Sequence, residues 1–243
     1  MIMDSLMTPG LPYKIKQGGV YMYCLVTGGA GSGKSEYAES LALSFCDKAG
    51  SMFYIATMYP YDDEETKRRI QRHRSLREGK GFVTIERPFE ISKVLDEIKA
   101  HTDETDCSPF REQNLRAEAQ KQCSGRVKKD INTEQGLESG DSSDQEYDGV
   151  KDVVVLLEDL TNLYANECYQ TDGHPHEIVA PLRELAVNVK ALIVVSNELY
   201  CDGIRYPEET LGFLRELSMI NREIAKDADK VYEVVAGIPV AVK

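Results

Sequence analysis

The chain has 243 residues, enough for one large α/β domain or two small ones and for a core that needs no disulfide or metal staples. Acidic residues outnumber basic ones 41 to 29, for a formal charge of -12, which argues against gripping a nucleic-acid backbone by counterion release, so no nucleic-acid partner is expected. The six cysteines have no CxxC spacing, no stretch approaches the roughly 18 apolar residues of a membrane span, and residues 1–19 lack a basic stretch followed by an apolar run; the expectation is a reduced, cytoplasmic protein with no membrane span.

In chain order, residues 1–19 read as a tail, and a β-rich apolar run at 21–27 follows. It leads into Gly28, Gly29, Ala30, Gly31, Ser32, Gly33, Lys34 and Ser35, after which EYAESLALSF has helical periodicity. This is GxxxxGK[ST] in its strand-loop-helix setting: glycines let backbone N–H groups converge on phosphate oxygens, Lys34 reaches the β- and γ-phosphates, and Ser35 can hold Mg2+. A dinucleotide fingerprint is excluded because GxGxxG is absent.

A second strand at 52–57 precedes a helix opened by Asp62-Asp63-Glu64-Glu65, with Asp62 as the expected cap and Glu65 at the capping-box position. Within it Arg69, His73 and Arg77 recur every fourth residue and share one face. Like charges so placed suit an anion between them, and cationic neighbours keep the imidazole neutral and nucleophilic. A solvated basic face is the ordinary alternative.

A third strand at 82–86 is followed by a change of composition. Residues 102–149 hold twelve acidic and six basic residues and only ten apolar ones among 48, which predicts a disordered or loosely helical insertion. Strands resume at 153–158, 191–197 and 230–236, the first two apolar on both faces. After the last, Gly237-Ile238-Pro239 leaves too little chain for a crossover, so the closing VAVK returns as an antiparallel hairpin. Glu158 and Asp159 end a buried strand, where ligands gather in open α/β sheets; Glu158 is the preferred metal-side acid, and Asp159 or Thr161 can instead cap the next helix.

The expected fold is therefore α/β and P-loop NTPase-like, a mostly parallel seven-stranded sheet with helices on both faces and a C-terminal antiparallel hairpin. Residues 20–243 form a single nucleotide-binding domain interrupted by the 102–149 insertion.

These residues resemble the bifunctional adenosylcobinamide kinase / adenosylcobinamide-phosphate guanylyltransferases of cobalamin assembly. The resemblance rests on LVTGGAGSGKS, YIAT, RIQRHR, Thr84 with Glu86, VLLEDLTNLYANE, VSNE with Gly203 and Pro207, Asn221, and AGIPVAVK. It implies nucleotide on residues 28–35, further contacts at Thr57, Met58, Tyr59, Arg74, Ser75, Leu76, Arg77, Glu86 and Glu158, Mg2+ on Ser35 and Glu158, catalytic roles for Lys34 and His73, and a homotrimer. His73 would carry a covalent GMP. The implied substrates are ATP and GTP with adenosylcobinamide and its phosphate. Gly31 stands where the family commonly has a basic residue, Phe82 where it usually has Trp, and residues 213–218 lack the Arg-Asp and Gly of FRD-x-x-G.

A regulatory GTPase is set aside because no Asn-Lys-x-Asp occurs. The rivals are a P-loop small-molecule kinase without guanylyl transfer and a non-catalytic nucleotide-binding module.

Overall fold

The computed structural model describes residues 21–46, 51–106, 149–170, 173–175, 177–199 and 203–243. The tail at 1–19 lies outside them, as does most of the 102–149 segment. Its first residues do not depart from helix: they complete one that continues to Asp106.

Seven strands form one sheet: β1 (Met22–Gly28), β2 (Met52–Ala56), β3 (Phe82–Glu86), β4 (Val154–Glu158), β5 (Ala191–Asn197), β6 (Lys230–Val235) and β7 (Ile238–Ala241). Their order is β3-β2-β4-β5-β1-β6-β7, parallel throughout except for the antiparallel β6–β7 hairpin. The expected fold class and hairpin are both present. Gly28 is level with Asn197 and Ala56 with Glu158, so the carboxyl ends of β1, β5, β4 and β2 line one edge.

Residue alternation divides the core. On one face Leu25, Phe53, Ile55, Leu157 and Val194 pack against α3 (Val94–Asp106), α4 (Leu160–Tyr169), α5 (Val179–Asn188) and α6 (Glu208–Asp227). On the other, Val26, Tyr54, Leu156, Ile193 and Val195 meet Ala38 and Ala42 of α1 (Lys34–Phe45). That face holds a single core helix among the described residues, and α2 (Glu64–Arg77) reaches it only where Arg77 is buried. Asp63, not Asp62, caps α2, because its side chain accepts from the Thr66 amide at 2.8 Å, the third position into the helix. Glu64 and Glu65 at its start and Arg74 and Arg77 at its end complement the helix dipole.

The end of β1 is tightly enclosed. A Cβ at Gly28 would lie 2.7 Å from the Val234 carbonyl oxygen, whereas one at Gly29 meets nothing within 4 Å. Gly28→Ala should therefore destabilise by roughly 1–3 kcal/mol through overpacking against β6, and Gly29→Ala should stay within about 0.5 kcal/mol of the parent. Equilibrium denaturation of both variants checks this, and equal losses would contradict it.

Candidate active site

The loop after β1 ends in Gly33 with φ of 89°, which starts α1 with no side-chain cap. Its first amides are thus left for an anion. A second constraint fixes Gly33: a Cβ there would lie 3.2 Å from Gly237 Cα, since the β6–β7 turn closes on the loop and Gly237 N–H donates to the Ser32 carbonyl at 2.8 Å. Lys34 is buried and its ammonium donates to the Gly29 carbonyl at 3.2 Å, curling over the loop. The Gly28–Ser35 cradle is thereby assembled as the motif requires.

Ser35 Oγ donates to Glu158 Oε1, and Tyr54 OH donates to Glu158 Oε2 at 3.1 Å. Burial, with Asp159 beside it, raises the Glu158 carboxyl above its ordinary range against the pull of both hydroxyls. Asp159 is likewise raised by burial, while Asn162, Asn197 and the Lys34 charge oppose this. Two desolvated carboxylates side by side favour a nearby cation. The hard oxygens of Ser35 and Glu158 suit a hard divalent cation such as Mg2+, and among the described residues there is no group of three or more His, Cys, Asp or Glu side chains that could hold a metal ion.

Asp159 also caps α4, accepting from Asn162 N at 2.6 Å, while Asn197 Nδ2 donates to its Oδ2 at 3.1 Å. Thr57 is fully buried, and its hydroxyl donates to the Asp159 carbonyl at 2.8 Å and accepts from the Asp159 amide at 2.7 Å. Thr57, expected to contact nucleotide, thus ties β2 to the residue that follows β4. Met58 and Tyr59 follow it, Tyr59 stacking near Tyr61 and Phe89.

His73 is half-buried on α2. Burial lowers its pKa from 6.5, and Arg77, Arg69 and Arg72 lower it further, with Asp159 acting the other way. A pKa lowered from 6.5 favours the neutral imidazole at pH 7, and the ring feels the Asp159 charge. Its two flanking arginines do not match each other. Arg69 is exposed, whereas Arg77 is 8 % exposed and its guanidinium sits 3.9 Å from the Tyr54 ring centroid. The two arginines thus differ in setting: Arg77 covers a ring, and Arg69 is turned to solvent.

Arg74 forks onto Glu86, Nε to Oε1 at 3.0 Å, so these two expected residues are brought together. Ser75 is exposed, and Leu76 lies in the last turn of α2. A groove of about 590 Å3 runs beside them, lined by Gln71, Arg74, Ser75, Arg77, Phe82 and Thr84. The Arg77 Nε–H is buried, with no hydrogen-bond partner among the described residues. Tyr54 and Asn197 were not readable as site residues from pattern alone. The only signal was a polar tip at each position in or at the end of an otherwise apolar strand.

Among known proteins, the family model described as "Cobinamide kinase / cobinamide phosphate guanyltransferase" matches residues 24–139 and 112–242. A relative from Escherichia coli (strain K12), "Bifunctional adenosylcobalamin biosynthesis protein CobU", is 28% identical over 239 residues, covering 91% of this chain and 100% of its own. A solved structure of an ATPase domain superposes with a TM-score of 0.42 at 12% identity over 89% of this chain and 70% of its own.

Titrating His73 by NMR should give a midpoint below 6.5, and Arg69→Gln should raise it. Since the unfolded chain binds more protons between that midpoint and 6.5, this histidine's contribution makes stability fall as pH drops through the same window. A midpoint at or above 6.5 would refute the reading of the site as cationic and desolvated.

Proposed function

This chain belongs to the cobinamide kinase / cobinamide phosphate guanyltransferase family, and from that premise we propose that it phosphorylates the aminopropanol hydroxyl of adenosylcobinamide and then transfers GMP from GTP to the new phosphate. The observation that supports this reading is the Ser35–Glu158 hydrogen bond behind a curled Gly28–Ser35 loop, together with a His73 whose pKa is lowered by burial and by Arg77, Arg69 and Arg72 and which feels the Asp159 charge.

In the first reaction the substrate hydroxyl oxygen attacks the γ-phosphorus of ATP or GTP. The bond to the β-phosphate oxygen breaks, the diphosphate leaves, and the hydroxyl proton passes to solvent. The Gly28–Ser35 amides and Lys34 hold the β- and γ-phosphates through the transfer. Mg2+ bound by Ser35 and Glu158 would neutralise phosphate charge.

In the second reaction an imidazole nitrogen of His73 attacks the α-phosphorus of GTP. A P–N bond forms, the α–β anhydride breaks and pyrophosphate leaves. The phosphate oxygen of adenosylcobinamide phosphate then attacks the same phosphorus, the P–N bond breaks, and adenosylcobinamide-GDP departs from a restored imidazole. Neutrality at the working pH leaves the lone pair available for that attack. Arg74, Ser75 and Arg77 line the groove, and with Leu76, Glu86, Met58 and Tyr59 they are read as nucleotide contacts. We read the assembly as a homotrimer; exposed Ile238, Val240 and Val242 on and after the edge strand β7 supply apolar surface for association.

Incubation with α-32P-GTP and Mg2+ should label the chain through an acid-labile, alkali-stable bond. His73→Asn should lose that label and the transferase reaction while retaining kinase activity. Lys34→Ala should lower kinase turnover by about 100-fold or more. A label that persists in His73→Asn moves the nucleophile elsewhere, and undiminished turnover in Lys34→Ala defeats the kinase assignment.

A further inference from the structure

Val235 and Ile238 face each other in the β6–β7 ladder, so Ala236 and Gly237 alone make the connecting loop, with φ of 50° and 80°. Two positive φ values in a two-residue loop are the type I′ pattern, in which the amides of both loop residues stand outside the ladder. One of these spare donors is used: Gly237 N–H donates at 2.8 Å to the carbonyl of Ser32, inside the phosphate loop. The approach is backbone to backbone, since a Cβ on Gly33 would lie 3.2 Å from Gly237 Cα. A Cβ on Gly237 itself would meet nothing within 4 Å, so glycine is required here by its φ and not by space.

We propose that Gly237 is a positioning residue for phosphate binding: its N–H holds the Ser32 carbonyl and thereby turns the N–H of Gly33, in the same peptide unit, toward the bound phosphates. The proposal rests on reading Gly28–Ser35 as a nucleotide site and is independent of His73 and of helix α2.

A peptide unit is planar and trans, so its C=O and N–H point in opposite directions. Holding the Ser32 carbonyl on the hairpin therefore sets the Gly33 N–H on the far side, away from β6 and β7. That N–H has no acceptor among the described residues, and Gly33 leads into α1 with φ of 89° and no side-chain cap. It is one of the open donors at a helix start, where the dipole favours an anion. Little else orients this peptide. Ser32 N donates to the Gly29 carbonyl at 3.2 Å, which sets the preceding peptide unit, and Ser32 Oγ is buried with no hydrogen-bond partner among the described residues. Glycine at 33 lets the unit flip, and a flipped unit would turn a carbonyl oxygen toward the triphosphate in place of a donor. The Gly237 bond disfavours that state, and so acts on affinity. Beside it, the exposed Ala236 holds a positive φ that an L-residue adopts at a cost, as expected where a turn is kept for the contact it makes. Occupancy strengthens the bond in turn, because a Gly33 N–H that donates to phosphate polarises the Ser32 carbonyl conjugated to it.

The test follows binding of Mg2+ and a non-hydrolysable ATP analogue to the full chain by calorimetry and by NMR of protein labelled with 15N at glycine. In the parent, the Gly33 amide proton should move downfield as it meets a phosphate oxygen, and hydrogen exchange of the Gly237 amide should slow by about fivefold or more. Neither measurement needs a variant. Gly237→Ala, disfavoured by its φ alone, should raise the Kd of the analogue by about tenfold or more and lose most of the Gly33 shift. Gly237→Asn introduces the side chain that best tolerates a positive φ and should restore both. The proposal is overturned by a parent that binds the analogue without the Gly33 shift or the Gly237 protection, by a Gly237→Ala protein that binds as the parent does, or by a Gly237→Asn protein that binds no better than Gly237→Ala. A flat calorimetric trace for the parent overturns the nucleotide reading of the loop, and the role of Gly237 with it.

Discussion

The position of the Glu158 carboxylate governs how the site is put together. It ends β4, yet the loop it serves springs from β1, with β5 between them. Two strand spacings of roughly 4.8 Å must therefore be bridged. Helix α1 does this, because it packs across β5 and β4 after leaving the loop and so delivers Ser35 to Glu158. Strand order and helix direction are thus parts of one requirement. The carboxyl edge is tightened further by backbone bonds from Glu198 N to Gly28 O at 3.0 Å and from Thr57 N to Glu158 O at 3.1 Å.

The same edge separates charge. Glu158 and Asp159 are desolvated, with the Lys34 charge acting on Asp159, while burial and the arginines of α2 lower the pKa of His73. An anionic triphosphate needs both halves: cations to meet its oxygens, and acids to hold the metal that it brings. In a protein with a net charge of -12, Lys34 of α1 and the arginines of α2 supply that cationic half, which gives local attraction for phosphate without a general affinity for polyanions.

What was legible in the sequence was whatever repeats or is contiguous. Strand periodicity yielded all seven strands, because β4 and β5 are apolar on both faces and the Gly237-Ile238-Pro239 gap is too short for a crossover. The phosphate loop was legible as a contiguous motif, and Glu158 as the first acid after a buried strand. Contacts across long separations were not. Tyr54 and Glu158 are 104 residues apart, and Thr57 and Asp159 are 102 apart. Neither pair has a spacing signature, so the bonds that tie Tyr54 to Glu158 and Thr57 to Asp159 could be seen only in the structure. The choice between Asp62 and Asp63 as cap failed for a smaller reason: two adjacent acids carry the same signal, and only the turn geometry decides which one reaches the Thr66 amide.

The way α2 is fastened bears on the chemistry proposed for it. Its C-terminal half is held by Arg74 on Glu86, Arg77 on the Tyr54 ring, and, just past its end, Lys80 on Glu39 of α1. Of these, Arg74–Glu86 is an exposed ion pair that contributes little, of the order of 0–1 kcal/mol, while Arg77 and Glu39 are largely buried. A helix buried along an apolar stripe would be costly to shift, whereas one tethered by a few polar contacts can be re-seated cheaply. A histidine that carries GMP has to face the α-phosphorus of GTP and then the phosphate of a second, bulkier substrate, and these cannot occupy the same space at once. A carrier mounted on a polar-tethered helix satisfies both encounters, while the rigid parallel sheet beneath keeps the phosphate loop in place.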